Sequence, residues 1–249
     1  AASNAVLRPH AYPLVCHVLS PIIVGGGYGM ALDWIQDSKW QFDIKLSTLR
    51  DILTLEAIAI ASSIVVACAY VLLLVQSGVL AEADVGYNIF RSAVGDLIGI
   101  SIVTPFLLML ANTGGLRKPS REAVLQGLSI VVALIFAFSF TNLPHFRLFN
   151  VMFFPIIWIA LRGGIEGATY GLIVTQVGLI IALYISGPQS ASVTTYQALM
   201  LVLAFTGLAI GGLVTERRRF EHELRLNQES VAHIFRLGSA GELTTAIAH

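Results

Sequence analysis

The chain has 249 residues, of which 56% are hydrophobic and only 12% charged, with a mean hydropathy of +0.78. Soluble domains carry about 25% charged residues, so this composition excludes a disordered chain, a basic nucleic-acid binder and a disulfide-stapled secreted scaffold and marks an integral membrane protein. The 15 basic and 15 acidic residues cancel, so the total charge selects no partner.

A bilayer-spanning helix takes about 20 mostly apolar residues, and seven stretches approach that length. They run roughly over 11–32, 52–75, 89–110, 123–140, 148–161, 165–185 and 196–214. The expected fold is therefore all-α, a polytopic transmembrane helical bundle of about seven spans. In the first stretch Cys16 and His17 are adjacent and point to different helical faces. With His10 they do not make a ligand set, so no metal is expected. Neither Cys16 nor Cys68 belongs to a disulfide framework, since both sit in apolar runs. Gly25-Gly26-Gly27-Tyr28-Gly29 lacks the strand before it and the Lys-Ser/Thr after it that a phosphate loop needs. It reads as a helix-packing or kink element.

Glu56 lies about a turn inside the second stretch, and Asp96 lies in the third between Gly95 and Gly99. A carboxylate at such a position costs several kcal/mol unless it is paired, hydrated or protonated. Asp96 is thus a candidate ligand, ion or proton site, or a structural hydrogen bond with Arg91 as its partner. Glu56 is its possible companion or an interfacial residue. The fifth stretch is short, and Leu161-Arg162-Gly163-Gly164 divides it from the sixth. The two read as separate spans, against one interrupted helix or a re-entrant segment. Phe154 and Trp158 share a helical face there. Trp158 is a candidate pocket residue, with an aromatic facing lipid or core as the alternative. Glu166 follows Arg162 by four residues and reads as its local ion-pair partner.

Alternating spans can be tested against the excess of basic residues in cytoplasmic loops. If the seventh stretch ends in the cytoplasm at Arg217, Arg218 and Arg219, the same side holds Arg162, then Arg117, Lys118 and Arg121, then Lys39, Lys45 and Arg50. The other side holds Arg8, Arg91 and Arg147, so the count is ten against three. The localisation expected is a bacterial inner (cytoplasmic) membrane, multi-pass, with a cytoplasmic C-terminus. Nothing near Ala1 has the basic start and apolar core of a signal peptide. With an outer N-terminus, a further helix is expected to precede the chain.

At Thr215 the composition changes to a charged, proline-free run rich in helix formers. Leu224, Asn227, Val231 and Ile234 follow alternating steps of three and four, one seam of a two-stranded coiled coil with a polar residue inside it. A single helix on the membrane surface is the alternative. Gly238 and Gly241 are expected to interrupt the helix and mark a flexible point. The domains expected are a transmembrane sensor over 1–214, a cytoplasmic linker helix over 215–237, and the start of a further domain over 238–249.

The stretch from Phe235 to His249, FRLGSAGELTTAIAH, resembles the H-box of bacterial sensor histidine kinases, in which a helix beginning near Gly-Glu-Leu reaches an Ala-His that accepts phosphate. Three membrane stretches resemble the membrane-associated sensor domain of the first MASE type. They are Val94-Gly-Asp96 through Thr104-Pro105, Phe154-Pro155 through Trp158 to Arg162-Gly163, and Gln197 through Glu216-Arg217-Arg218. That domain precedes histidine kinases and cyclic-di-GMP enzymes. The resemblance implies a sensor histidine kinase of a two-component system, with His249 as phosphoacceptor and 238–249 as the truncated start of its dimerisation and phosphotransfer domain. A neutral imidazole is a competent nucleophile near pH 7. ATP and Mg²⁺ would be bound by a domain outside this chain, whose sequence holds no Asn-rich ATP box and no Gly-rich lid. The partners implied are a homodimer mate, a response regulator, the lipid bilayer and an unknown small-molecule or membrane stimulus, and no nucleic acid. Two other readings stay open: a transporter or channel using Asp96, and the sensor module of a cyclic-di-GMP enzyme.

Overall fold

Lipid offers no hydrogen bonds to backbone amides, so an apolar chain of this kind satisfies them within helices. The computed structural model describes residues 14–37, 42–43, 46–80, 84–113, 120–139, 149–186 and 193–247, without the side chains at 14–17, 35–37, 113, 139, 186, 193–195 and 232–247. Every regular element among them is helical. These are α1 (Leu14–Asp37), α2 (Leu49–Gln76), α3 (Val85–Thr113), α4 (Arg121–Ser139), a 3₁₀ turn at Asn150–Met152, α5 (Phe153–Ser186) and α6 (Val193–Ile247).

Five helices among the described residues are long and apolar enough to cross a bilayer: Leu49–Gln76, Val85–Asn112, Arg121–Phe138, Asn150–Ile185 and Tyr196–Val231. The expectation of seven separate spans goes beyond these. α1, where the first stretch was expected, is not among the five. The fifth and sixth stretches fall together in α5, which reverses at Gly164 (φ 62°, ψ −148°), a conformation that a Cβ disfavours. A Cβ built on Gly171 would stand 3.2 Å from Ile156 Cδ1, whereas a straight helix would hold those residues about 22 Å apart. α5 is therefore a helical hairpin with arms 153–163 and 165–186. At about 1.5 Å per residue the first arm is about 16 Å long, roughly half the hydrocarbon core.

The hairpin and α6 form the centre of the bundle. Ile156, Ala160, Ala168, Leu172, Leu203 and Ala204 are fully buried there. Small residues let the backbones close up, as they do between membrane helices generally. A Cβ on Gly207 would stand 2.9 Å from Ile156 Cγ2, and one on Gly211 would stand 2.9 Å from Ala168 Cβ. α2 and α3 pack on this centre from one side and α4 on the hairpin from another, with α1 outermost against α2. The outward side chains are apolar, among them Val65, Leu128, Val132 and Ile181, as suits contact with acyl chains.

α6 continues without a break through Gly238 and Gly241 to Ile247, so the expected interruption is absent from its backbone. At about 1.5 Å per residue it is about 80 Å long. Every residue from Arg217 to Val231 is exposed, including Leu224 and Val231 of the expected seam. Phe220, also exposed, precedes Leu224 by four and lengthens that apolar row.

Gly164→Ala should lower stability by roughly 1–2 kcal/mol for the left-handed backbone alone, and by more because the new Cβ would stand 2.5 Å from Thr215 Oγ1. Gly163→Ala, with open space at its Cβ, should leave the unfolding midpoint unchanged or slightly raised. Thermal unfolding in nanodiscs measures both.

Candidate functional site

Among the described residues, the polar side chains that join separate helices lie at one end of the bundle and at two points between α1, α2 and α3. At the first end, four consecutive-turn residues of α6 close the ends of two other elements. Thr215 Oγ1 accepts the Ile165 N–H at 2.9 Å and donates to the Gly211 carbonyl at 2.9 Å. The Arg218 guanidinium donates to the carbonyls of Arg162 (3.0 Å) and Leu161 (3.4 Å), at the end of the first hairpin arm. Glu216 accepts the Leu49 N–H of α2 at 3.2 Å, and Arg219 donates to Ser47 Oγ at 3.2 Å. The Ile165 and Leu49 N–H groups and the Leu161 and Arg162 carbonyls are groups that a helix end leaves unsatisfied. The charge signs are also favourable, a carboxylate at a helix N-terminus and a guanidinium at a C-terminus.

The start of α2 is built to receive these contacts. Thr48 and Asp51 form a capping box, and Asp51 also accepts the Asp43 N–H, which holds the 42–48 segment in place. Leu46 is buried within that segment at φ 51°. A cavity of about 520 Å³ lies at this junction, between Ser47, Asn112, Glu166, Thr215 and Arg218. The expected Arg162–Glu166 pair is replaced: Arg162 bonds Glu122 of α4 at 2.9 Å. The reversal at Gly164 removes the helical register that four-residue spacing requires.

Between the helices, Asp96 Oδ2 accepts the hydroxyl of Tyr28 at 2.9 Å, which ties α1 to α3. The expected Arg91 partner is not used; Arg91 is exposed and makes no ion pair among the described residues. Glu56 is buried, with Oε2 accepting the Ser101 hydroxyl at 2.6 Å and Oε1 without a hydrogen-bond partner. It ties α2 to α3. Asp96 and Glu56 therefore take different partners. Trp158 lies on the outer face of the hairpin, 41% exposed, and lines neither the junction cavity nor the cavity around Asp96. Among the described residues no group of three or more His, Cys, Asp and Glu side chains converges as a metal site would require. His249 lies outside the described residues.

At the opposite end, a second cavity of about 380 Å³ opens between the end of α2, the start of α3 and the start of α6. Tyr70, Asn88, Arg91, Ser92, Asp96 and Gln197 supply its polar lining. Gln197 is placed by its neighbour Tyr196, which is buried between the rings of Phe138 and Phe149, at 5.9 and 6.0 Å. The Gln197 side chain passes Gly95, where a Cβ would stand 3.7 Å from Nε2, and its Oε1 is buried without a partner. Sequence reasoning found Asp96 but missed Gln197 and the junction. The five polar residues Thr215–Arg219 immediately after an apolar span are the one local signal for the junction. Gln197, polar at the start of the last span, is the corresponding signal for the cavity.

These features define an integral membrane helical bundle whose last helix runs on well past the others. The chain belongs to the MASE1 family, whose family model matches residues 17–218. The match ends inside the Thr215–Arg219 junction. No curated protein and no solved structure matches the chain.

Thr215→Val should leave the Ile165 N–H without an acceptor and cost about 1–3 kcal/mol, read as a lower unfolding midpoint. Thr215→Ser, which keeps the hydroxyl, should restore most of the loss.

Proposed function

We propose that this chain is the sensor part of a membrane-bound histidine kinase of a two-component system, in which signal reception in the bundle controls ATP-dependent autophosphorylation at His249. MASE1 is a membrane sensor domain found in histidine kinases and cyclic-di-GMP enzymes. The observation that carries the reading is the single helix α6, which starts in the bundle, passes through the junction and reaches Ile247, two residues short of the H-box histidine. The excess of basic residues at the junction end supports a cytoplasmic location for it. By this reading the Arg162 tip, the start of α2 and the exit of α6 face the cytoplasm, and the Asp96 cavity opens to the opposite side.

Thr215, Glu216, Arg218 and Arg219 bond the hairpin and α2 at once, so neither can shift without carrying α6 or breaking those bonds. Such a shift is the two-state element that a switch needs. The exposed row Phe220, Leu224, Asn227 and Val231 is the dimer seam, with Asn227 fixing its register. At the far end, the His249 imidazole nitrogen attacks the γ-phosphorus of ATP. ADP leaves with the electron pair of the broken P–O bond, and the phosphoryl group then passes to an aspartate of a response regulator. ATP and Mg²⁺ are held by a further domain.

Two measurements test this. The protein expressed from its complete gene, placed in nanodiscs with γ-labelled ATP and Mg²⁺, should acquire acid-labile, base-stable label that His249→Gln abolishes. Equal labelling of both proteins removes His249 from the mechanism. No label, with cyclic-di-GMP formed from GTP, moves the module to the other class of output. In a background with Cys16 and Cys68 replaced by alanine, Leu224→Cys and Val231→Cys should form disulfide-linked dimers faster than His222→Cys on the opposite face of the helix. Equal rates would contradict the seam.

A further inference from the structure

The cavity around Asp96 has the dimensions and the unmet hydrogen-bonding groups of a binding site. Its volume of about 380 Å³ falls in the usual range for small-molecule sites, about 300–1,000 Å³. Asn88, Ser92 and Asp96 follow one another at helical spacing of four and line it from α3. Gln197 of α6 approaches α3 at Gly95. Asp96 receives one hydroxyl, from Tyr28, on Oδ2, which leaves its other oxygen for a donor. Gln197 lines the same cavity from α6.

The charges decide what kind of ligand fits. Arg91 and Asp96 line the same cavity but make no ion pair with each other among the described residues. They are five positions apart, about 7.5 Å along the helix axis, with Arg91 the more exposed of the two. A lone cation would be drawn to Asp96 and repelled by Arg91, and a lone anion the reverse. A molecule with an amine at one end and a carboxylate at the other satisfies both. We propose that this cavity binds a small zwitterion of the amino-acid type, its ammonium donating to Asp96 and its carboxylate accepting from Arg91, with Gln197 in the cavity wall. A ligand so placed touches α3 and α6, and through Asp96 is one hydrogen bond from Tyr28 of α1. Gln197 stands on the same rod as Thr215, about 27 Å away along its axis, so the site is joined directly to the output helix. The role as a stimulus rests on the sensor reading above; the binding does not.

The test is binding to the 249-residue chain in lipid nanodiscs without ATP, so that its failure and the failure of the kinase reading are separate results. The probes are glycine, β-alanine and 4-aminobutyrate, which lengthen the distance between the two charges, with methylamine and acetate as single-charge controls. Calorimetric titration and the shift in unfolding midpoint are read together, since a ligand that binds only the folded state stabilises it by mass action. At least one amino acid should bind at millimolar concentration or below, with neither control binding there. Asp96→Asn and Arg91→Gln should each weaken it tenfold or more. Arg91 is exposed, so its variant should fold and keep the unliganded midpoint. Binding of no amino acid, binding unaffected by either substitution, or methylamine binding as tightly as the amino acids would overturn the proposal.

Discussion

Helix ends inside or beside a membrane carry backbone donors and acceptors that lipid cannot satisfy, and the bundle depends on how one end of it meets that constraint. Residues 215–219 of α6 supply a hydroxyl, a carboxylate and two guanidinium groups to the hairpin tip and the start of α2. Hydrogen bonds to charged groups contribute about 1.5–3 kcal/mol each when buried, though less where the guanidinium is exposed to water, as at Arg218. The energetic value of the set matters less than its connectivity: three elements share one short segment.

That connectivity requires the reversal at Gly164. Folding α5 back on itself brings its tip to the level of Thr215. It also creates the notch that Gly207 and Gly211 fill at van der Waals contact. A side chain at either glycine would push α6 away and take the polar residues of the junction out of reach. Packing by small residues and hydrogen bonding at the exit are thus one arrangement, and neither is available without the other.

α6 has a polar contact region at each end of its membrane part. Gln197 lies beside Asp96 at one end and Thr215 holds the hairpin at the other. The carboxyls of Asp96 and Glu56, each accepting a different hydroxyl, tie α1 and α2 to α3, and α3 in turn packs on the hairpin and α6. The same helix continues past Thr215 with an exposed row of apolar side chains, Phe220, Leu224 and Val231.

Membrane residence, the helical class and the positions of most apolar stretches were legible in the sequence, because each rests on local composition and on the length a bilayer demands. The change of character at Thr215 and the isolated carboxyls at Asp96 and Glu56 were legible for the same reason: a charged residue stands out against an apolar background. Other features depend on residues far apart in the chain. Tyr28 rather than Arg91 bonds Asp96, Arg162 pairs with Glu122 rather than Glu166, and Gln197 meets Gly95, because helix packing and one glycine backbone angle bring those residues together. The continuity of α6 through Gly238 and Gly241 likewise overrides a local preference of roughly 1 kcal/mol per glycine. The sequence by itself determined where the chain is apolar, where it is charged and which residue types are available. Only the tertiary structure decided which of them meet, since hydrogen bonds reach about 3 Å and periodicity along a chain does not specify the distance between helices.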